Sequence, residues 1–299
     1  MKPKVLVVCG ATASGKTSLS VACAEKLNTE IVSADSMLVY RGLDIGTAKP
    51  TKAEQKGVKH HLIDVVSPTE SFSVSDYEAM ALPVVEKLLA EGKTPIICGG
   101  TGFYINAILY KSQFGNVGAS AEVREKYEAI HDEYGKAYLH GLLREKDPES
   151  AAKLHENDVK RVIRALEIYD VTGKPKSVQQ DSQTPRFDFV AVSVEYPRET
   201  LYERINRRVD EMFAAGLQEE VESLLFAGVD KEAQCMQGIG YKELVEGLAA
   251  GLSQEEIKET IKKNTRNYAK RQITFFKRMQ NHLRLFPQQA TVEEVIKLL

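Results

Sequence analysis

Near the start of the chain, Gly10-Ala11-Thr12-Ala13-Ser14-Gly15-Lys16-Thr17 fits the pattern G-x-x-x-x-G-K-[ST]. The pattern has meaning only between a strand and a helix, and both neighbours qualify. Lys4 to Cys9 (KVLVVC) is a continuous apolar, valine-rich run of the kind that forms a strand buried on both faces. Ser18 to Leu27 carries apolar residues at helical spacing. The glycines let the loop wrap so that successive backbone N–H groups and the helix N-terminus face an anion. Lys16 brings a positive charge to that anion, and the Thr17 hydroxyl is suited to a Mg²⁺ ion bridging phosphate oxygens. Such a loop selects a di- or triphosphate and is silent on what the phosphates are attached to.

The same alternation continues downstream. Glu30 to Ser33 reads as a second strand ending at Ala34-Asp35-Ser36, and Val74 to Ala90 as a helix. Pro95 to Cys98 reads as a third strand, running into Gly99-Gly100-Thr101-Gly102 and a short helix. Strand, loop and helix at these intervals predict a parallel sheet with helices on both faces. From about Ser112 the pattern becomes charged helices as far as Gly173, then a polar stretch from Lys174 to Pro185. A strand returns at Phe189 to Val194. Residues 112–186 are therefore expected to be a helical insertion into an α/β domain made of 1–111 and 187–299. Helices are expected from Pro197 to about Gly216, from Gln218 to Phe226, and from Ser253 to about Met279, the last opened by the capping spacing Ser253/Glu256. Leu283 to Phe286 reads as a closing strand, and Thr291 with Glu294 caps a final short helix.

The chain has 299 residues and a formal net charge of −2, which by itself argues for no polyanion partner. The distribution says more. Residues 201–257 carry 5 basic and 12 acidic side chains, whereas residues 258–299 carry 10 and 3. A basic terminal helix beside an acidic neighbour points to nucleic acid or to a solvated face. Cys9, Cys23, Cys98 and Cys235 show no paired spacing, so a reduced, cytoplasmic setting is expected, with neither signal peptide nor membrane span.

Several residues are candidates for chemistry. Asp35 stands where the second strand ends, on the side where ligands bind in open parallel sheets, as a proton acceptor, a metal holder through water, or a plain turn residue. Asp64, in His60-His61-Leu62-Ile63-Asp64, competes for the acidic role; the adjacent histidines diverge in most backbones and make a poor metal site. Thr101 is placed to donate to a bridging or leaving oxygen. Basic residues for phosphate are available as Lys160-Arg161 with Arg164, and as Arg204 with Arg207-Arg208. Lys258, Lys262, Lys263, Arg266, Lys270, Arg271, Lys277 and Arg278 fall largely along one side of the last long helix, a surface that can follow a phosphate backbone. Tyr268, Phe275 and Phe276, interleaved with them, read as core anchors.

Taken in order, the loop 10–17, Ser33-Ala34-Asp35-Ser36 continuing to Gly42, Asp44-Ile45-Gly46-Thr47-Ala48-Lys49-Pro50, His60 to Asp64, Gly99 to Tyr104, Gly238-Ile239-Gly240-Tyr241 and Ala269-Lys270-Arg271-Gln272 closely resemble the tRNA dimethylallyltransferases. The resemblance runs nearly end to end. One departure is Ala11, where the family often has proline. The resemblance implies a P-loop NTPase-like fold and transfer of a dimethylallyl group from dimethylallyl diphosphate to N6 of the adenosine 3′ of the anticodon. It implies Asp35 as base, Thr101 near the reacting centre, and Gly10 to Thr17 with Arg208 on the diphosphate. It places Asp35, Ser36, Met37, Leu38, Thr101, Arg124, Val159, Lys160, Arg161, Val162 and Ile163 beside the tRNA anticodon stem-loop, and Thr17 on Mg²⁺. The adenosine would be flipped out of its stack to react. A monomer is expected. Two other classes fit the loop: a kinase using ATP, with an arginine-rich lid, and an RNA-binding module without catalysis.

Overall fold

The computed structural model describes residues 4–111, 120–178 and 184–299. The segments 112–119 and 179–183, at the start of the expected insertion and inside its polar stretch, lie outside the described residues. Six strands form a parallel sheet: β1 (Val5–Cys9), β2 (Ile31–Ser33), β3 (His60–His61), β4 (Ile96–Gly99), β5 (Phe189–Val194) and β6 (His282–Leu285). Their spatial order is β3-β2-β4-β1-β5-β6, and every neighbouring pair is parallel. β1 is fully buried along its whole length, as its uninterrupted apolar sequence requires between two sheet neighbours and two covered faces.

The alternation of a strand decides what covers each face. Leu6 and Val8 share one face with Ile31, Ile96 and Val192, covered by Leu19 and Cys23 of α1 (Lys16–Leu27) and by Val295 of α12 (Val292–Ile296). Each such side chain contributes roughly 1.5–3 kcal/mol by leaving water. Because the strands are parallel and in register (Cys9 beside Gly99, Ser33 beside Cys98), the segments that leave β1, β2 and β4 emerge at one edge. That edge carries the loop 10–17, Asp35 and Thr101.

By contact density the chain divides into two compact units, one made of the chain up to Leu109 and from Arg186 onward, the other Tyr110–Pro185. The first unit also holds α2 (Lys52–Gln55), α3 (Val74–Ala90), α4 (Gly102–Leu109), α8 (Arg198–Ala214), α9 (Leu217–Phe226), α10 (Tyr241–Ala249) and α11 (Gln254–Phe276). The second contains α5 (Ala121–Lys146), α6 (Pro148–Lys153) and α7 (Val159–Thr172). Its core joins Tyr127, Leu139 and Leu143 of α5 to Val162, Ile163 and Leu166 of α7.

α11 begins where the Ser253/Glu256 capping box places it but ends at Phe276, short of Met279. The basic stripe expected along this helix is only partly a free surface. Lys262 is buried between Asp210 of α8 and Glu259, 2.9 Å from each, and Arg266 donates to Asn206 Oδ1 at 2.6 Å. A share of the charge asymmetry along the sequence is therefore cancelled within the fold, where α11 packs on α8. Lys263, Lys270, Arg271, Lys277 and Arg278 remain exposed. We expect Lys262→Ala to destabilise this unit by about 1 kcal/mol, read as a fall in Tm of roughly 2–4 °C, with no change in the salt dependence of RNA binding. An unchanged Tm with weaker RNA binding would return Lys262 to the surface role.

Candidate active site

The loop between β1 and α1 turns on three residues of positive φ: Gly10 (123°), Ala13 (61°) and Gly15 (86°). Gly10 also lies against the next strand, since a Cβ there would come within 3.1 Å of Ser193 Cβ. α1 opens at Gly15 with no side-chain cap, so the first-turn N–H groups present their partial positive charge outward. Other elements hold the loop in this shape. Thr12 N donates to Gln272 Oε1 at 2.9 Å, and Arg204 Nε donates to the Ala13 carbonyl at 2.8 Å. Lys16 Nζ donates to the Ala11 carbonyl at 2.6 Å. Burial pushes the Lys16 ammonium below its ordinary pKa; Arg208 nearby adds to this and Asp35 opposes it.

Asp35 and Thr101 are brought together by the sheet. Ala34 N bonds to the Cys98 carbonyl (2.7 Å) and Thr101 N to the Ala34 carbonyl (3.0 Å), locking the ends of β2 and β4 side by side. Only glycine fits at position 99, where a Cβ would overlap the Ala34 backbone. Ser36 N donates to Thr101 Oγ1 (3.0 Å), and Met37 N donates to Asp35 Oδ1 (2.9 Å). The Thr101 oxygen thus accepts from the backbone, while its own hydrogen is given to Ser36 Oγ at 3.3 Å, a long bond that a better acceptor can replace. Asp35 has one oxygen oriented, and among the described residues the other accepts no hydrogen bond.

Beside these residues lies a cavity of about 390 Å³. Thr12, Asp35 and Arg208 supply a polar side, and Ile205, Val209, Ile239 and Ile261 an apolar wall. Burial lowers the pKa of the Arg208 guanidinium while Asp35 acts to raise it. Tyr268 also lines the cavity; burial first, then the charge of Asp35, pushes its phenol up to about 12.

Of the arginine sets considered, Arg208 alone among Arg204, Arg207 and Arg208 faces the cavity. Arg204 ties down the loop, and Arg207 pairs with Glu211 at 3.6 Å. Asp64 is not a competing catalytic acid: it is engaged with Lys49, which also pairs with Asp44 at 2.7 Å. His61 is bonded to Glu30 (2.5 Å) and His60 to the Val58 carbonyl (2.9 Å), so the two do not converge on a metal. Among the described residues no cluster of three His, Cys, Asp or Glu side chains is placed for a metal. Oxygen donors at the loop include the exposed Thr17 hydroxyl and Ser14 Oγ, which is buried with no hydrogen-bond partner among the described residues. They fit Mg²⁺, which takes few protein ligands and completes its shell with phosphate oxygens and water.

Some expected RNA-facing residues are placed otherwise. Val162 and Ile163 are in the core of the helical unit, 1% and 6% exposed, so their side chains cannot form an RNA surface. Val159 packs against that core, while Lys160 and Arg161 stand exposed at the start of α7. Arg124 makes a two-point contact with the buried Glu167 (2.9 and 3.2 Å). Ser36 and Met37 line the cavity; Leu38 is half-buried beside it, its carbonyl accepting from Asp64 N at 3.1 Å.

Two supports were not foreseen from sequence. Gln272, buried, also donates to the Gly100 carbonyl at 3.0 Å, so one side chain joins the loop 10–17 to the loop bearing Thr101. Glu220 accepts from the N–H groups of Asp44, Ile45 and Gly46 (2.8, 2.7 and 3.1 Å) and from Tyr241 O–H (2.6 Å). This clamp fixes the turn that presents Gly46 and Thr47 to the cavity.

A parallel sheet with a glycine-rich anion loop after β1 and the polar groups gathered at that edge define a P-loop NTPase-like protein. The family model for IPP transferases matches residues 38–279. The chain belongs to that family. It is 48% identical to the tRNA dimethylallyltransferase of Acetivibrio thermocellus and 49% identical to that of Caldanaerobacter subterraneus, in each case over 93% of this chain and 90% of the relative. Among solved structures, the full-length tRNA isopentenylpyrophosphate transferase of Bacillus halodurans is similar at a TM-score of 0.71 and 40% identity, covering 99% of this chain and 94% of that one. A eukaryotic dimethylallyltransferase acting on tRNA is similar at a TM-score of 0.79 and 30% identity, covering 97% and 74%.

Proposed function

We propose that this chain transfers a dimethylallyl group from dimethylallyl diphosphate to N6 of the adenosine 3′-adjacent to the anticodon in tRNA. The observation that carries this reading is the pairing of an anion loop with an apolar-walled cavity, with Asp35 and Thr101 at their junction. An anion loop alone serves any nucleotide, but a phosphoryl acceptor has no need of the wall formed by Ile205, Val209, Ile239 and Ile261. A prenyl diphosphate needs both.

In the reaction the C1–O bond of the donor breaks and a C–N6 bond forms. The exocyclic amine is a weak nucleophile because its lone pair is delocalised into the purine. The free oxygen of Asp35 takes the N6 proton, held in place by the Met37 N–H on its other oxygen. Thr101 donates its hydroxyl hydrogen to the oxygen that leaves with diphosphate. Lys16, the N–H groups opening α1, and Arg208 stabilise the charge that collects on the leaving group. Thr17 would hold Mg²⁺ through its hydroxyl, and the ion when bound would supply further neutralisation of the diphosphate charge. Lys160 and Arg161 of α7 and the exposed basic residues of α11 serve the RNA backbone, and Ser36 and Met37 the flipped nucleoside.

The enzyme acts in the cytoplasm as a monomer on this reading; among the described residues no helix is long and apolar enough to cross a membrane. Incubation of the purified protein with Mg²⁺, labelled dimethylallyl diphosphate and an anticodon stem-loop is expected to put label into the RNA in step with diphosphate release. Phosphate transfer from ATP with no response to the prenyl donor would overturn the assignment in favour of a kinase.

A further inference from the structure

Phe103 follows Gly102 at the opening of α4, two residues beyond Thr101, and its side chain stands 66% exposed. The ring is nevertheless held. Its centroid is 5.7 Å from that of Phe275 on α11, at an interplanar angle of 58°, and Phe275 in turn meets Phe276 edge-on at 5.4 Å. Phe276 is buried, 2% exposed, and anchors the series in the core. Gly102 allows the contact, since a Cβ there would overlap the Phe275 ring. The result is an aromatic ladder rooted in the core whose last rung faces solvent beside the reacting centre.

The surroundings are basic. Arg271 lies one helical turn before Phe275 on the same face of α11, is exposed, and lines the cavity. Lys277 and Arg278, also exposed, follow directly after Phe276. A fixed, exposed aromatic ring bordered by arginine and lysine is the arrangement that receives an unpaired nucleobase, the ring stacking on the base and the cations taking the backbone. Resting on the tRNA reading above, we infer that Phe103 is a stacking platform for the unpaired base next to the target adenosine, holding open the gap that the flipped nucleotide leaves. It is a positioning residue for the RNA and has no part in the chemistry at C1 or N6.

Steady-state kinetics on the full-length protein with an anticodon stem-loop test this. Phe103→Ala and Phe103→Leu are both expected to raise the KM for RNA about tenfold or more, while Phe103→Tyr stays near the parent. The KM for dimethylallyl diphosphate and the kcat at saturating RNA stay within about twofold in all three. Leucine preserves an apolar contact with Phe275, so a Phe103→Leu enzyme indistinguishable from the parent would reduce Phe103 to packing and overturn the inference. A donor KM that rises with the RNA KM would do the same. The chain contains no tryptophan, so Phe103→Trp introduces a lone indole whose emission is expected to be quenched by the stem-loop and not by a blunt duplex. Unquenched emission on RNA binding overturns the inference, whereas quenching without any prenylation by the parent enzyme would defeat the proposed activity alone.

Discussion

Replacing Asp35 with asparagine is expected to lower kcat roughly 10²- to 10⁴-fold, with the Kd for the stem-loop and for dimethylallyl diphosphate changed by no more than a few fold. The choice of asparagine follows from the geometry. Met37 N donates to Asp35 Oδ1 at 2.9 Å, and an amide oxygen accepts that bond equally well, so the turn from Asp35 to Met37 keeps its shape. What asparagine lacks is the capacity to take the N6 proton. Asp35→Ala removes the turn bond as well and should add a loss of RNA affinity on top of the loss of turnover. If the asparagine variant loses RNA affinity and turnover in equal measure, Asp35 is a structural turn residue. If it retains turnover, N6 is deprotonated by some other group.

Lys16→Ala is the second substitution with a large expected effect, a fall in kcat of roughly 10²- to 10³-fold together with a raised KM for the prenyl donor. Lys16 Nζ rests on the Ala11 carbonyl at 2.6 Å, within the loop whose N–H groups frame the anion site. Burial, with Arg208 close by, disfavours its charge. A bound diphosphate reverses that balance, because it supplies the negative charge that a buried ammonium lacks. The ammonium then follows the charge moving onto the leaving oxygen. Lys16→Arg is not expected to rescue the loss, since the planar guanidinium cannot occupy the same small space. RNA affinity measured without donor should be unaffected. Isothermal titration with each substrate separately, beside single-turnover rates, checks these expectations; a Lys16→Ala enzyme with an ordinary donor Kd and full turnover would remove the loop from the mechanism.

Much of this arrangement was legible because its signals are local. KVLVVC followed by a glycine-bounded loop predicts β1, the anion site and α1 together, and the parallel register does the rest by bringing Asp35 and Thr101 to the same edge. The supports were not legible for the opposite reason. Gln272 stands in the quoted Ala269–Gln272 motif, but it reaches Thr12 across 260 residues of sequence, and nothing local says that its side chain bridges two loops. Glu220 sits in an acidic segment and reads as solvated, yet it accepts three backbone N–H groups and the Tyr241 hydroxyl. α10 was hidden behind Gly238-Ile239-Gly240, where Gly240 at φ 99° starts a helix that local glycine content argues against. Charge counting also misled at Lys262: sequence records that α11 is basic but not that Asp210 of α8 faces it. In the same way an exposed-looking run from Val159 to Ile163 contains two core residues, because an amphipathic helix alternates its faces every few positions.

The measurement that bears most directly on the whole account is mass spectrometry of nucleosides from tRNA incubated with the enzyme, Mg²⁺ and dimethylallyl diphosphate. The expected product is an adenosine heavier by one dimethylallyl group in place of a hydrogen, confined to the nucleotide 3′ of the anticodon and absent when Asp35→Asn enzyme is used. Unmodified tRNA, a phosphorylated nucleoside, or a prenyl group on any other base would contradict it.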